Sequence, residues 1–297
     1  MTLEVELKLA INSGQQVPTE AALLACWQPL LAQPVTKHAE KQLFNAYFET
    51  ADQWFRLHDC GLRTRLKSGQ YEQTIKLAGQ QQGAAHIRPE YNQPCQSVVP
   101  VLADFPSEIW PQGTDVAQLQ QDLQELFRTD FVRQAYILQL HDGSKVEAVL
   151  DIGTVVGGGA DAPICELELE LQQGSVDALF TLARAMVASL PVSLGFQSKA
   201  ERGYRLAQQQ PLTWLTPAVD AELKVWLRAL SQNLLLQHQS SDESAPALSL
   251  LWQQFRTTLP SRQVPAALCQ RAMQLDIAIS GEFQLWLLDF SAWMLEE

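Results

Sequence analysis

Alternation between apolar and polar positions dominates the first two-thirds of the chain. A strand sends successive side chains to opposite faces, and this period of two recurs over residues 3–10, 43–50, 61–67, 70–77, 85–92, 131–140, 144–151 and 164–172. These eight segments are predicted strands. Asp142-Gly143, between two alternating runs, reads as a hairpin turn. Helical periodicity appears over 19–32, 115–127 and 175–189, the last with Leu179, Leu182, Ala183 and Met186 on one stripe. Gly157-Gly158-Gly159 lacks the spacing and following helix of a phosphate cradle and reads as a loop. After Gln208-Gln209-Gln210-Pro211 the pattern becomes helical over 219–238, 246–258, 265–279 and 281–296. The expected organisation is a strand-rich domain over 1–207, a linker over 208–217 and a helical region over 218–297.

The polar faces of the strands are unusual. Glu4, Glu6 and Lys8 share one face of the first strand, opposite Leu3, Val5, Leu7 and Leu9, and Glu166, Glu168 and Glu170 repeat the pattern near residue 170. Glutamates two apart on a strand lie roughly 6.6 Å from each other and repel by about 2.5 kcal/mol at an effective dielectric near 20. Glutamate is also a poor strand former. A divalent cation compensates such a face directly, since hard cations take carboxylate oxygens. Other strands carry cations by the same logic: Arg63 and Arg65, Lys76, Arg88 with Glu90, and Arg133; Lys199 and Arg202 follow downstream. Pro89 favours a strand edge or break. Strands with one charged and one aliphatic face fit an α+β fold, a closed antiparallel eight-stranded barrel with a charged interior and an apolar exterior covered by helices. Guanidinium and ammonium groups beside carboxylates and metal suit a phosphate chain.

Composition narrows the partners. The 297 residues carry a net charge of −12, which argues against nucleic acid. No apolar run of membrane-spanning length and no basic-then-apolar leader is present, so neither a membrane nor secretion is expected. The five cysteines, without a CxxC, read as reduced thiols of a cytoplasmic protein. The five histidines show no HxH or HExxH spacing, so a histidine-held metal is not expected. The tryptophans after residue 213 are spaced as helix core.

Glu4-Val5-Glu6-Leu7-Lys8, at the N-terminus and followed in order by the other charged pieces, resembles the ExExK signature of the CYTH proteins, the triphosphate tunnel metalloenzymes. The similarity runs from Glu4 to about Leu206. Residues 163–171 and 198–204 look like the bacterial inorganic triphosphatase branch, in which a helical CHAD domain follows the tunnel. The resemblance implies that Glu4, Glu6, Glu166 and Glu168, with Asp151 and Glu170, hold Mg²⁺ or Mn²⁺. It implies that Lys8, Arg63, Arg65, Lys76, Arg133 and Lys199 bind phosphate oxygens, with Arg88, Glu90 and Arg202 in supporting roles. Glu4, Glu6, Lys8, Lys76 and Glu168 form the expected catalytic set. The implied reaction is metal-dependent hydrolysis of inorganic triphosphate. The alternatives are a thiamine triphosphatase, a class IV adenylate cyclase, or a non-catalytic phosphate-chain or nucleotide sensor. Residues 213–297 depart from the precedent, with five basic against nine acidic residues and one histidine. They read as a shortened CHAD-like appendage, poorly suited to polyphosphate, that packs on the tunnel domain or makes a homo-oligomer.

Overall fold

The structure, a computed structural model, describes residues 1–11, 14–82, 84–239, 245–278 and 281–296. Eleven strands form one sheet: β1 (Thr2–Ala10), β2 (Thr36–Lys37), β3 (Lys41–Glu49), β4 (Gly61–Lys67), β5 (Gln70–Lys76), β6 (Gln80–Gln82), β7 (Ala85–Cys95), β8 (Gln124–Gln139), β9 (Lys145–Gly157), β10 (Ala160–Gln173) and β11 (Ser193–Leu194). Eight of them close in the antiparallel ring β1-β10-β9-β8-β3-β4-β5-β7, and β7 returns to β1. The closing strand is β1, which pairs with β7 through Thr2–Leu7 and with β10 through Glu6–Ala10. The expected eight-stranded closed barrel is the observed one. The short strands β2, β6 and β11 add to β8, β7 and β1.

The helices of the first two-thirds are α1 (Glu20–Trp27), α2 (Trp54–Leu57), α3 (Val116–Asp122), α4 (Asp177–Ser189) and α5 (Lys199–Ala207). The helix predicted over 19–32 stops at Trp27 and tightens into a 3₁₀ turn over Gln28–Leu30, where Pro29 has no N–H to continue the α ladder. The helix predicted over 115–127 ends at Asp122, and β8 begins at Gln124. Phe127, Thr129 and Phe131 are buried between exposed Arg128 and Asp130, so period two overrides the helical reading there. Residues 199–207 form a helix capped by Ser198, whose hydroxyl accepts from the Glu201 N–H at 3.0 Å; Arg202 sits on this helix and donates to the Pro163 carbonyl of β10. Pro89 lies inside an unbroken β7, with its carbonyl accepting from Leu77 N–H. Gly158 and Gly159 form the β9–β10 turn at positive φ.

The C-terminal region holds α6 (Leu223–Gln239), α7 (Ala245–Thr258), α8 (Ala266–Gln274) and α9 (Glu282–Glu296). The predicted helix end at 279 and the last residue of the predicted region, 297, lie outside the described residues. Helix α8 stops short because Leu275 is extended, and its carbonyl accepts from Trp252 Nε1 at 2.8 Å. These helices pack on the outer barrel wall. Leu7, Leu9, Leu167 and Leu169 of the wall, Leu179 and Met186 of α4, and Trp252, Phe255, Trp286 and Phe290 belong to one continuous apolar core. The backbone is tied as well: Ala84 N–H donates to Ser291 Oγ at 3.1 Å and Leu194 N–H to Gln284 Oε1 at 2.9 Å. A second cluster around Phe48, Phe55 and Leu62 covers β3–β5, and a third around Phe127, Phe131 and Tyr204 seats α5.

Trp286 is fully buried between Trp252 and Phe290 and donates to Leu268 O at 2.9 Å. Trp286→Ala is expected to lower stability by about 3–5 kcal/mol in urea unfolding. Because the core is shared, circular dichroism and tryptophan fluorescence should report coincident transitions. Two separated transitions would show that the C-terminal helices fold as their own unit.

Candidate functional site in the barrel lumen

The alternation that sends leucines to the outer wall sends charge inward. The lumen holds a cavity of about 270 Å³, lined by Glu4, Glu6 and Lys8 of β1, Arg63 and Arg65 of β4, Lys76 of β5, His86, Arg88 and Glu90 of β7, Arg133 of β8, and Glu168 and Glu170 of β10. Lys199 reaches it from α5. Nine Lys and Arg side chains line the cavity against seven Glu, so the lumen is cationic although the chain carries −12. Such a lining attracts anions.

At one end the carboxylates of Asp151, Glu166 and Glu168 come within 4.8 Å of one another, all buried. Asp151 lies in mid-strand on β9 and is fully buried. The cluster is held by cations. Lys199 Nζ lies 2.7 Å from Asp151, 2.5 Å from Glu166 and 2.9 Å from Glu168. Arg133 forks onto Asp151 at 2.7 and 2.6 Å and also reaches Glu168 at 2.8 Å. Arg202 pairs with the other Glu166 oxygen. Burial alone would raise these acids, but Lys199 and Arg133 hold Asp151 below its ordinary range, and Lys199, Lys8 and Arg133 hold Glu168 well below it.

Glu4 and Glu6 stand in separate pairs. Lys76 bonds Glu4 and lies 3.5 Å from Glu90. Lys8 donates to Glu6 at 2.7 Å and to Glu168 at 2.5 Å, linking the two halves. Two residues are left with unbalanced charge. Burial, together with Glu4 and Glu147, raises Glu170 to about 7. Burial, with Arg63 and Arg133 nearby, lowers Arg65 to about 9, and its Nε donates to Asn45 Oδ1 at 2.7 Å. Arg63 has a buried Nε with no hydrogen-bond partner.

The barrel thus brings most of the residues singled out in the sequence to one lumen, whereas Asp151, Glu166 and Arg202 meet at its end without lining the cavity. Three contributors carry no motif that singles them out. His86 has a buried Nε2 without a partner, and burial and Lys8 lower it to about 4, so the ring is neutral at pH 7. Its place two residues before Arg88 is a usable signal, because it shares that face. Tyr47 lies near Arg63 and Arg65; burial raises its phenol, but these guanidiniums bring it below the ordinary value. Glu147 lines the cavity four residues before Asp151.

The family model of the CYTH domain matches residues 2–204. An inorganic triphosphatase of Haemophilus influenzae is 32% identical over 223 residues, covering 72% of this chain and 58% of the relative. The chain therefore spans less than two-thirds of that relative's length. Among solved structures, a putative adenylyl cyclase from Hippeastrum, reported to reveal a dominant triphosphatase activity, aligns at 14% identity over 70% of this chain and 97% of its own, with a TM-score of 0.45. A protein of Pyrococcus horikoshii aligns at 18% identity over 67% and 97%, with a TM-score of 0.39.

Two outcomes follow for the cation-free protein. Lys199→Met removes the one cation shared by all three buried carboxylates and should cost about 3 kcal/mol, measured by urea unfolding in chelator; an unchanged midpoint would mean Lys199 is not the cluster's shared counterion. Glu170 has its folded pKa above the ordinary 4.5. Its contribution to stability is therefore fully present below pH 4.5 and is lost as pH rises through about 7. Glu170→Gln should match the parent at pH 4 and exceed its stability at pH 8, and the reverse order would refute the assignment.

Proposed function

The chain belongs to the CYTH domain family, and we propose that it hydrolyses inorganic triphosphate to diphosphate and phosphate in the barrel lumen with the help of Mg²⁺ or Mn²⁺. The observation that carries this reading is a cationic cavity of about 270 Å³ that meets, through Glu168, a buried cluster of three carboxylates at its end. The volume lies near the lower bound of small-ligand sites, roughly 300–1,000 Å³, which suits a bare phosphate chain better than one with a nucleoside.

The donor set fits a hard divalent cation. Asp151, Glu166 and Glu168 offer oxygens within 4.8 Å of one another, with Glu4, Glu6 and Glu170 on neighbouring β1 and β10 positions. When bound, such an ion draws charge from phosphoryl oxygens and lowers the pKa of a coordinated water. The rest falls to the chain's own side chains. Arg63 and Arg65 share one face of β4 and repel each other while the lumen is empty of anion; a phosphate chain relieves that repulsion and accepts from both guanidiniums. Lys76 of β5 and Lys8 of β1 add point charge along the chain, and Arg133 joins the carboxylate cluster to the cavity lining. These donors are preorganised by ion pairs in a half-buried site, so they can stabilise charge on the leaving diphosphate without reorganising. No thiol lines the cavity, and direct attack by water requires no covalent intermediate.

Phosphate release from inorganic triphosphate is expected to require Mg²⁺ or Mn²⁺ and to stop on chelation; equal turnover in chelator would end the proposal. Arg65→Ala should lower kcat/KM by about 10²–10³ with the cation requirement unchanged. Glu168→Gln should lower kcat and raise the cation concentration needed for half-maximal rate. Rates on triphosphate, thiamine triphosphate and ATP compared side by side test the substrate, and a higher kcat/KM for either organic compound would reassign it.

A further inference from the structure

A cavity of about 400 Å³, larger than the lumen cavity, lies at the barrel end between α5, the Ser193–Gln197 segment, α6 and α9, and shares Lys8 with the lumen lining. Its size is typical of small-molecule sites. One side is cationic. Arg202 and Arg205 lie one turn apart on α5 and so share a face, and Arg228 comes across from α6. The other side is apolar, built from Phe196, Leu212, Leu234, Leu235 and Leu287. Glu166 is the one carboxylate among the lining residues, and it is already taken by Lys199 and Arg202. Arg228 pairs with Glu201. Arg205 has no ion pair among the described residues, and burial together with Arg202 lowers its pKa. Three arginines thus line one cavity, and of these Arg205 is left without an ion pair among the described residues, in a chain that is acidic overall.

We propose that this cavity binds a small organophosphate, its phosphoryl group on Arg205 with Arg202 and Arg228, and its apolar body on the leucine wall. A phosphoryl dianion offers three acceptor oxygens and can take guanidinium donors from more than one arginine. A carbon body is required because half the wall offers no hydrogen bonds. Arg202 also bonds Glu166, so Arg205 and Arg228 are the residues to vary without touching the lumen.

Titration calorimetry of the full chain with phenylphosphonate, in chelator and with inorganic triphosphate filling the lumen, is expected to show one remaining saturable site. Arg205→Met and Arg228→Met should each weaken it by at least about tenfold, and inorganic phosphate should bind more weakly than phenylphosphonate by at least about tenfold. Arg65→Ala, in the lumen, should leave it unchanged, and crystals soaked with phenylphosphonate should carry it at Arg205. No saturable binding would overturn the proposal. So would equal binding of inorganic phosphate, or density at Arg65 with binding intact in Arg205→Met.

Discussion

The ammonium of Lys199, shared by Asp151, Glu166 and Glu168, is the contact on which the barrel interior depends. Burying a charge without a partner is prohibitive, yet this fold buries a whole wall of them. It succeeds because carboxylates and cations interleave. Lys8 joins Glu6 to Glu168, Arg133 joins Asp151 to Glu168, and Lys76 joins Glu4 to Glu90. The interleaving is incomplete in two places. Glu170 is left among other carboxylates and drifts up toward a proton; Arg65 is left among other guanidiniums and is driven the opposite way. Under the proposed function, those two imbalances face the cation and the phosphate chain.

A charged interior imposes the rest of the architecture. Much of the outer face is then apolar and is covered by α1, α4 and the C-terminal helices on one side and by the Phe55 cluster on the other, while Phe44, Ile152 and Val156 stay exposed. Closure through β1 leaves the ring without a free edge. Helix α5 plugs one end because Gly203 lets it lie against the Phe127 ring, where a Cβ would meet ring carbon at 2.0 Å. That close seat carries Lys199 and Arg202 to the carboxylates. The C-terminal helices reach the same region from outside, through Arg228 on Glu201 of α5 and Gln284 on the β11 backbone beside β1.

Much of this architecture is legible in the order of residues alone. The period of two identifies eight strands and which face of each carries charge, because side-chain direction along a strand is a local property of the backbone. It places Glu4, Glu6 and Lys8 on one face, and Arg63 and Arg65 likewise, and the apolar complement requires a covered exterior. Local pattern fails where two periods compete or where a short segment owes its form to a partner: residues 124–130, which pair with β3 and β9, and β2, β6 and β11, which exist only as additions to longer strands.

What the sequence by itself determined, then, is the inventory of charged faces and their order along the chain. What only the tertiary structure decided is who meets whom. In sequence the two glutamate strands look alike; in space Glu166 and Glu168 join Asp151 from a third strand, while Glu4 and Glu6 are taken up by Lys76 and Lys8. Lys199, some thirty residues beyond the second glutamate strand, reaches the centre of that cluster only because α5 folds back into the barrel end. His86 and Tyr47 have the chemistry of the lumen but no motif to announce it. The reason is physical: facing is fixed by backbone geometry over two residues, whereas distance, burial and the resulting pKa shifts arise from pairings between segments far apart in the chain.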